Sequence, residues 1–195
     1  MPTTQSFLPI REIHEDVVIL KDGSWRQILM ASSINFALMS KEEQEAVIYQ
    51  FQNFLNSLDF YIQFLVQSRR LNLDKYLKEL DELITKEENE LLKMQGREYR
   101  EFIKSLSEMS NLMTKTFYVV VPFHPGVTKK TLSKKDFSHL KYQLDQRVAY
   151  VRAGLRRCGI FTVILKSAEI IELLWSTHHP AKFERGEIPP FPSIE

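Results

Sequence analysis

The stretch from Leu73 to Met113 constrains this chain more than any other, because it holds no proline and one glycine, Gly96. Apolar residues recur through it at helical spacing: Tyr76, Leu77, Leu80, Leu83 and Ile84 in its first half, then Leu91, Tyr99, Phe102, Ile103 and Leu106. Unbroken, it would be a helix about 60 Å long at ~1.5 Å per residue, longer than a compact domain of this size needs. It is therefore expected to project, as one long helix or as a helical hairpin. The polar run Thr85–Glu90 and the weak helix former Gly96 are the expected bend points.

Around this stretch the pattern alternates between strand and helix. Asp16–Leu20 and Arg26–Ala31 are apolar runs separated by Lys21-Asp-Gly23, and Asp-Gly between two such runs predicts a tight hairpin. Ser40 followed by Glu43 predicts a capping box and a helix to about Leu58, with Val47, Phe51, Phe54, Leu55 and Leu58 on its inner face. Phe60–Val66, Phe117–Val121 and Ile160–Leu165 predict three further strands. The spacing of Phe137, Leu140, Leu144, Val148, Val151 and Leu155 predicts a helix ended by Gly159, and Ser167 is placed to cap a short helix over Ala168–Ser176. The expected fold class is α+β: a mixed sheet of about five strands, the N-terminal hairpin plus three more, packed with helices. Residues 1–180 are expected to form one domain, and 181–195, with four of the eight prolines, a tail or a truncated linker.

Composition narrows the chemistry. With 26 Lys and Arg against 25 Asp and Glu, the whole chain has no electrostatic preference for polyanions. Its single cysteine, Cys158, cannot pair within the chain or supply a multi-cysteine zinc site, which favours a reducing compartment. No apolar run approaches the ~20 residues of a membrane-spanning helix.

No motif with catalytic mechanics emerges. Gly154 and Gly159 have the glycine spacing of a phosphate loop, but Ile160 and Phe161 stand where that loop requires lysine and a hydroxyl residue. His178 and His179 are adjacent, so they diverge on a helix, and no further ligand sits at metal spacing. Cys158 near a helix C-terminus meets the negative end of the dipole, which disfavours a thiolate. No catalytic residue, metal site or cofactor is expected. Local charge gives one lead: Val127–Arg157 carries nine basic and two acidic residues, against seven basic and ten acidic over Leu73–Met113. Lys134, Lys135 and Lys141, with Arg69 and Arg70 after the third strand, are the candidate partner-binding residues.

Several strings taken together resemble a known family: Thr4–Ile13, the Lys21–Gly23 turn, Ser33–Phe36, Phe51–Leu58, Gln67–Leu71 and Phe117–Pro122 are similar to the TraC-like N-terminal domain of conjugative type IV secretion ATPases. The resemblance runs from about Thr4 to Pro180, and Ile171–Pro180 is similar to the segment leading toward that family's motor. It implies a non-motor, non-catalytic docking subunit at the inner face of the cytoplasmic membrane. The implied partners are a motor ATPase, as a separate chain or a missing C-terminal domain, and a small inner-membrane subunit, with self-association as a further expectation. The alternative is a binder of nucleic acid or an anionic surface through the basic segment 129–157, which predicts salt-sensitive affinity.

Overall fold

The computed structural model describes residues 8–70, 73–110, 113–126 and 134–180. Its elements run β1 (Ile10–His14), β2 (Val17–Leu20), β3 (Trp25–Ala31), α1 (Lys41–Asn56), β4 (Gln63–Arg70), α2 (Asp74–Lys86), α3 (Glu90–Ser110), β5 (Met113–Phe123), α4 (Lys134–Arg157), β6 (Thr162–Ile164) and α5 (Ser167–His178). The fold class is α+β. The expected tail, 181–195, lies outside the described residues. Contacts divide the described chain into two compact units, one built from residues up to Val66 with Thr116–Leu173, the other from Gln67–Lys115 with residues from Leu174 on.

The first unit is organised by a sheet of order β1-β2-β3-β5-β4, with β6 pairing the end of β3. The expected hairpin is β2–β3. Its turn places Gly23 at φ 81°, and the Asp22 carboxylate accepts from both the N–H (2.8 Å) and the hydroxyl (2.6 Å) of Ser24. The sheet has six strands rather than about five, and the pairings β1–β2, β2–β3, β3–β5 and β3–β6 are all antiparallel, which corrects the expectation of a mixed sheet. For the first three strands short connections explain this: β1 and β2 are joined by Glu15 and Asp16 alone, both in the left-handed region at φ 47° and 66°, as a two-residue hairpin turn demands.

Alternation along the strands sets the core. Val17, Ile19, Trp25, Leu29, Val119, Val121 and Phe123 are buried on one face, against Leu140, Leu144, Val148, Val151 and Leu155 of α4 and Phe54 of α1. The α4 residues are the stripe that the spacing predicted. Ser40 and Glu43 make the expected capping box, Ser40 N–H donating to Glu43 Oε2 (2.9 Å) and Glu43 N–H to Ser40 Oγ (3.3 Å). Leu55, expected on the inner face of α1, is exposed.

Gly154 and Gly159 part company. Gly159 ends α4 at φ 79°, with Gly159 N–H donating to Arg156 O and Ile160 N–H to Leu155 O, a Schellman closure. Gly154 lies inside the helix, where a β-carbon would stand 2.1 Å from Phe54 Cδ2; its absence lets α1 and α4 approach.

The second unit contains the helical hairpin. The expected break falls at Glu87–Asn89, where Glu87 turns to extended backbone and Asn89 Oδ1 accepts from Leu91 N–H (2.9 Å), capping α3. Gly96 is not a bend. It sits within α3 at the crossing with α2, where a β-carbon would lie 2.7 Å from Ile84 Cγ1. Leu77, Leu80, Ile84 and Ile103 are half-buried along the seam, and an Arg100–Asp81 ion pair (2.5 Å) bridges the two helices, though not aligned as a hydrogen bond.

Candidate functional site

The basic segment does less at the surface than its charge count suggests. Lys141 Nζ pairs with Glu15 Oε2 at 2.8 Å, which holds Glu15 below the usual carboxylate range. Arg147 lies over the rings of Phe60 (4.8 Å) and Phe123 (5.3 Å) and donates to Pro122 O at 3.2 Å. Arg152 donates to Thr162 O at 3.3 Å. Three of the nine cations therefore tie α4 to its own unit. Lys129 and Lys130 lie outside the described residues, as does the side chain of Lys134, the first residue of α4. Lys135 is exposed, as are Arg156 and Arg157.

Beside Lys141 the β1–β2 turn reaches α5. Burial pushes the Asp16 carboxyl up, but the N–H and hydroxyl of Ser167, with Lys166 at 3.2 Å, outweigh it and hold Asp16 below its ordinary value. Ser167 is thus not a cap: it is the first helical residue, and the carboxylate that satisfies its N–H comes from Asp16. A polar cleft of about 340 Å³ opens here, lined by Glu15, Asp16, Gln27, Lys141, Asp145, Arg152 and Lys166. Its charges are largely paired with one another, Lys141 with Glu15 and Lys166 with Asp16. Signals for this cluster were absent from the sequence, since the two ends lie 151 residues apart.

Arg69 and Arg70 lie within β4 rather than after a strand, because β4 begins three residues later than expected and runs to Arg70. Arg69 is half-buried and donates to Gln67 Oε1 and, at 2.5 Å, to Ser176 Oγ, which is itself buried. The Arg70 side chain lies outside the described ones. The candidate binding residues are thus not gathered into one described cluster.

The histidines are separate and locally engaged: His14 meets the Phe137 ring edge-on, and the Nδ1 atoms of His178 and His179 lie 2.7 and 3.2 Å from the carbonyls of Leu174 and Trp175. Among the described residues no group of three or more His, Cys, Asp or Glu is arranged to hold a metal ion, and no helix is long and apolar enough to cross a membrane. Cys158 is buried, and burial pushes its thiol up.

The helical hairpin carries an exposed apolar feature. Tyr76 and Leu83 of α2 and Leu91, Tyr99, Phe102 and Leu106 of α3 are 41–68% exposed. Tyr76 and Tyr99 bring their hydroxyls to 3.3 Å, so these residues share one side of the hairpin. All six are apolar positions at helical spacing in the sequence, but spacing does not say whether a face looks inward.

The profile of the archaeal TraC-like domain matches residues 11–176. The chain belongs to the TraC-like family, as its strings suggested, and this membership supports a role related to type IV secretion and conjugation. No curated protein matches the chain.

Proposed function

We propose that this chain is a non-catalytic docking and assembly component of a type IV secretion apparatus for conjugative DNA transfer, joining a motor ATPase to an inner-membrane component at the inner face of the cytoplasmic membrane. TraC-like membership supports the setting. The observation that carries the docking role is the α2–α3 hairpin, which leaves six large apolar side chains in solvent on one side. Contiguous exposed apolar surface of that kind marks interaction sites on soluble proteins. Among the described residues no constellation suited to turnover competes with this reading.

The test is capture of the cognate motor ATPase and the small inner-membrane subunit by the tagged chain. Retention of either at micromolar concentration is the expected result, and loss of both at ten times that concentration counts against the proposal. ATP turnover by the isolated chain is expected to be nil.

A further inference from the structure

Helical geometry sharpens what the hairpin accepts. At about 100° per residue, Leu91, Phe102, Leu106 and Tyr99 fall within an arc of roughly 80° on α3. On the outer flank of that arc stand Glu98 and Glu101, both exposed. The basic residues of α3, Lys93, Arg97, Arg100 and Lys104, project from the other side of the helix, where Lys93 turns back to Glu90 (2.9 Å) and Arg100 is bound to Asp81. On α2 the flank beyond Tyr76 and Leu83 is mixed, with Glu79 nearest the stripe and the exposed Lys86 about 20° further round. The apolar face is therefore edged by glutamates along α3, at Glu98 and Glu101.

That edge selects the occupant. A helix that lies on an anionic membrane carries lysine and arginine beside its apolar stripe, the reverse of this arrangement. A second copy of the same face would bring glutamate rims together, which costs affinity. We infer that the hairpin receives one amphipathic helix of a partner protein, apolar on one face and flanked by lysine or arginine, as a third helix packed along α2 and α3. The exposed side chains offer on the order of 500 Å², taking roughly 200 Å² for each when free, so the contact is small and reversible. This inference rests on the docking reading above and names the chemistry of the partner.

The experiment uses the full chain and two synthetic helical peptides of about 20 residues, matched to the 21 residues of α3, with the same leucine face and either lysine or glutamate flanks. Fluorescence anisotropy should show the lysine peptide binding about five-fold tighter or better at low salt, an advantage that shrinks at high salt. Leu83→Ser with Phe102→Ser should abolish binding of both peptides while circular dichroism stays unchanged. Glu98→Lys with Glu101→Lys should invert the preference. Equal binding of the two peptides, or binding of neither at several hundred micromolar, overturns the inference; so does a reversible dimer in sedimentation that Phe102→Ser dissolves, which makes the occupant a second copy. If the chain captures secretion components but the charge reversal at Glu98 and Glu101 leaves capture unchanged, docking stands and the hairpin inference falls.

Discussion

The Asp16 carboxylate accepts the N–H of Ser167 at 2.7 Å and its hydroxyl at 3.0 Å, so a hairpin turn near the N-terminus caps a helix that begins 151 residues later. In return Ser167 Oγ accepts from Asp16 N–H at 3.1 Å. A helix cap of this kind is worth about 1–2 kcal/mol. Asp16→Ala should lose about that much, because it removes the acceptor and puts a side chain less tolerant of φ 66° in the turn. Asp16→Asn should lose less, since an amide oxygen still accepts and asparagine suits the left-handed region. The pH dependence has a definite sign. Asp16 is held below its ordinary value, so its contribution is complete above the unfolded carboxyl range and is lost as pH falls through the folded value. Thermal melts of the wild type should therefore fall in acid by more than those of Asp16→Asn.

Gly154 and Gly96 make a matched pair of substitutions with different outcomes. Alanine in a helix interior gains about 1 kcal/mol over glycine. At Gly154 the new methyl meets three atoms of the ring of the buried Phe54, the nearest at 2.1 Å, so overpacking of about 2–3 kcal/mol prevails. At Gly96 the obstacle is Ile84 Cγ1 at 2.7 Å on a half-buried chain that can turn aside, and the net change should lie near zero. Urea midpoints should drop clearly for Gly154→Ala and scarcely for Gly96→Ala. Adding Phe54→Leu should recover part of the Gly154→Ala loss, because it removes the atoms that the methyl strikes.

Legibility in the sequence followed how local the determining interaction is. The Ser40–Glu43 cap, the turn at Gly23 and the stop at Gly159 are set within a few residues, and each formed where the residues pointed. Strand β1 has no clear sequence signal because Arg11 and Glu12 break its apolar run and its turn, Glu15-Asp16, has neither glycine nor asparagine. Gly96 reads as a bend in the sequence because propensity alone cannot distinguish a weak helix residue from a close approach. For the candidate binding residues the gap is wider. Lys141 reads as a surface charge because Glu15, which holds it, is distant in sequence, and the outward stripe of the hairpin has the same period as a core-facing one.

The basic helix yields a prediction that separates docking from nucleic-acid binding. If cations on α4 met phosphates, reversing Lys135 and Lys141 would weaken DNA binding and flatten its salt dependence. The geometry assigns Lys141 to Glu15 instead. Lys141→Glu should lower the melting temperature slightly by setting two carboxylates side by side, and gel-shift titration at low salt should show no binding for the reversal to remove. DNA affinity that collapses on reversal at Lys135 and Lys141 would restore the alternative.

Cys158 supplies a probe of the first unit's integrity. Its side chain is 2% exposed, its Sγ lies 3.6 Å from Gly154 O, and burial raises the thiol's pKa, so at neutral pH the reactive thiolate is scarce and sheltered. Labelling by an aromatic disulfide reagent should require opening of α4 against the sheet. The rate is then expected to become independent of reagent concentration at high reagent and to rise with denaturant. Gly154→Ala, which strains the α1–α4 contact beside it, should accelerate labelling at a fixed urea concentration. Gly96→Ala, in the other unit, should leave it unchanged. Rapid stoichiometric labelling of the native wild type at neutral pH would contradict both the burial and the direction of the pKa shift.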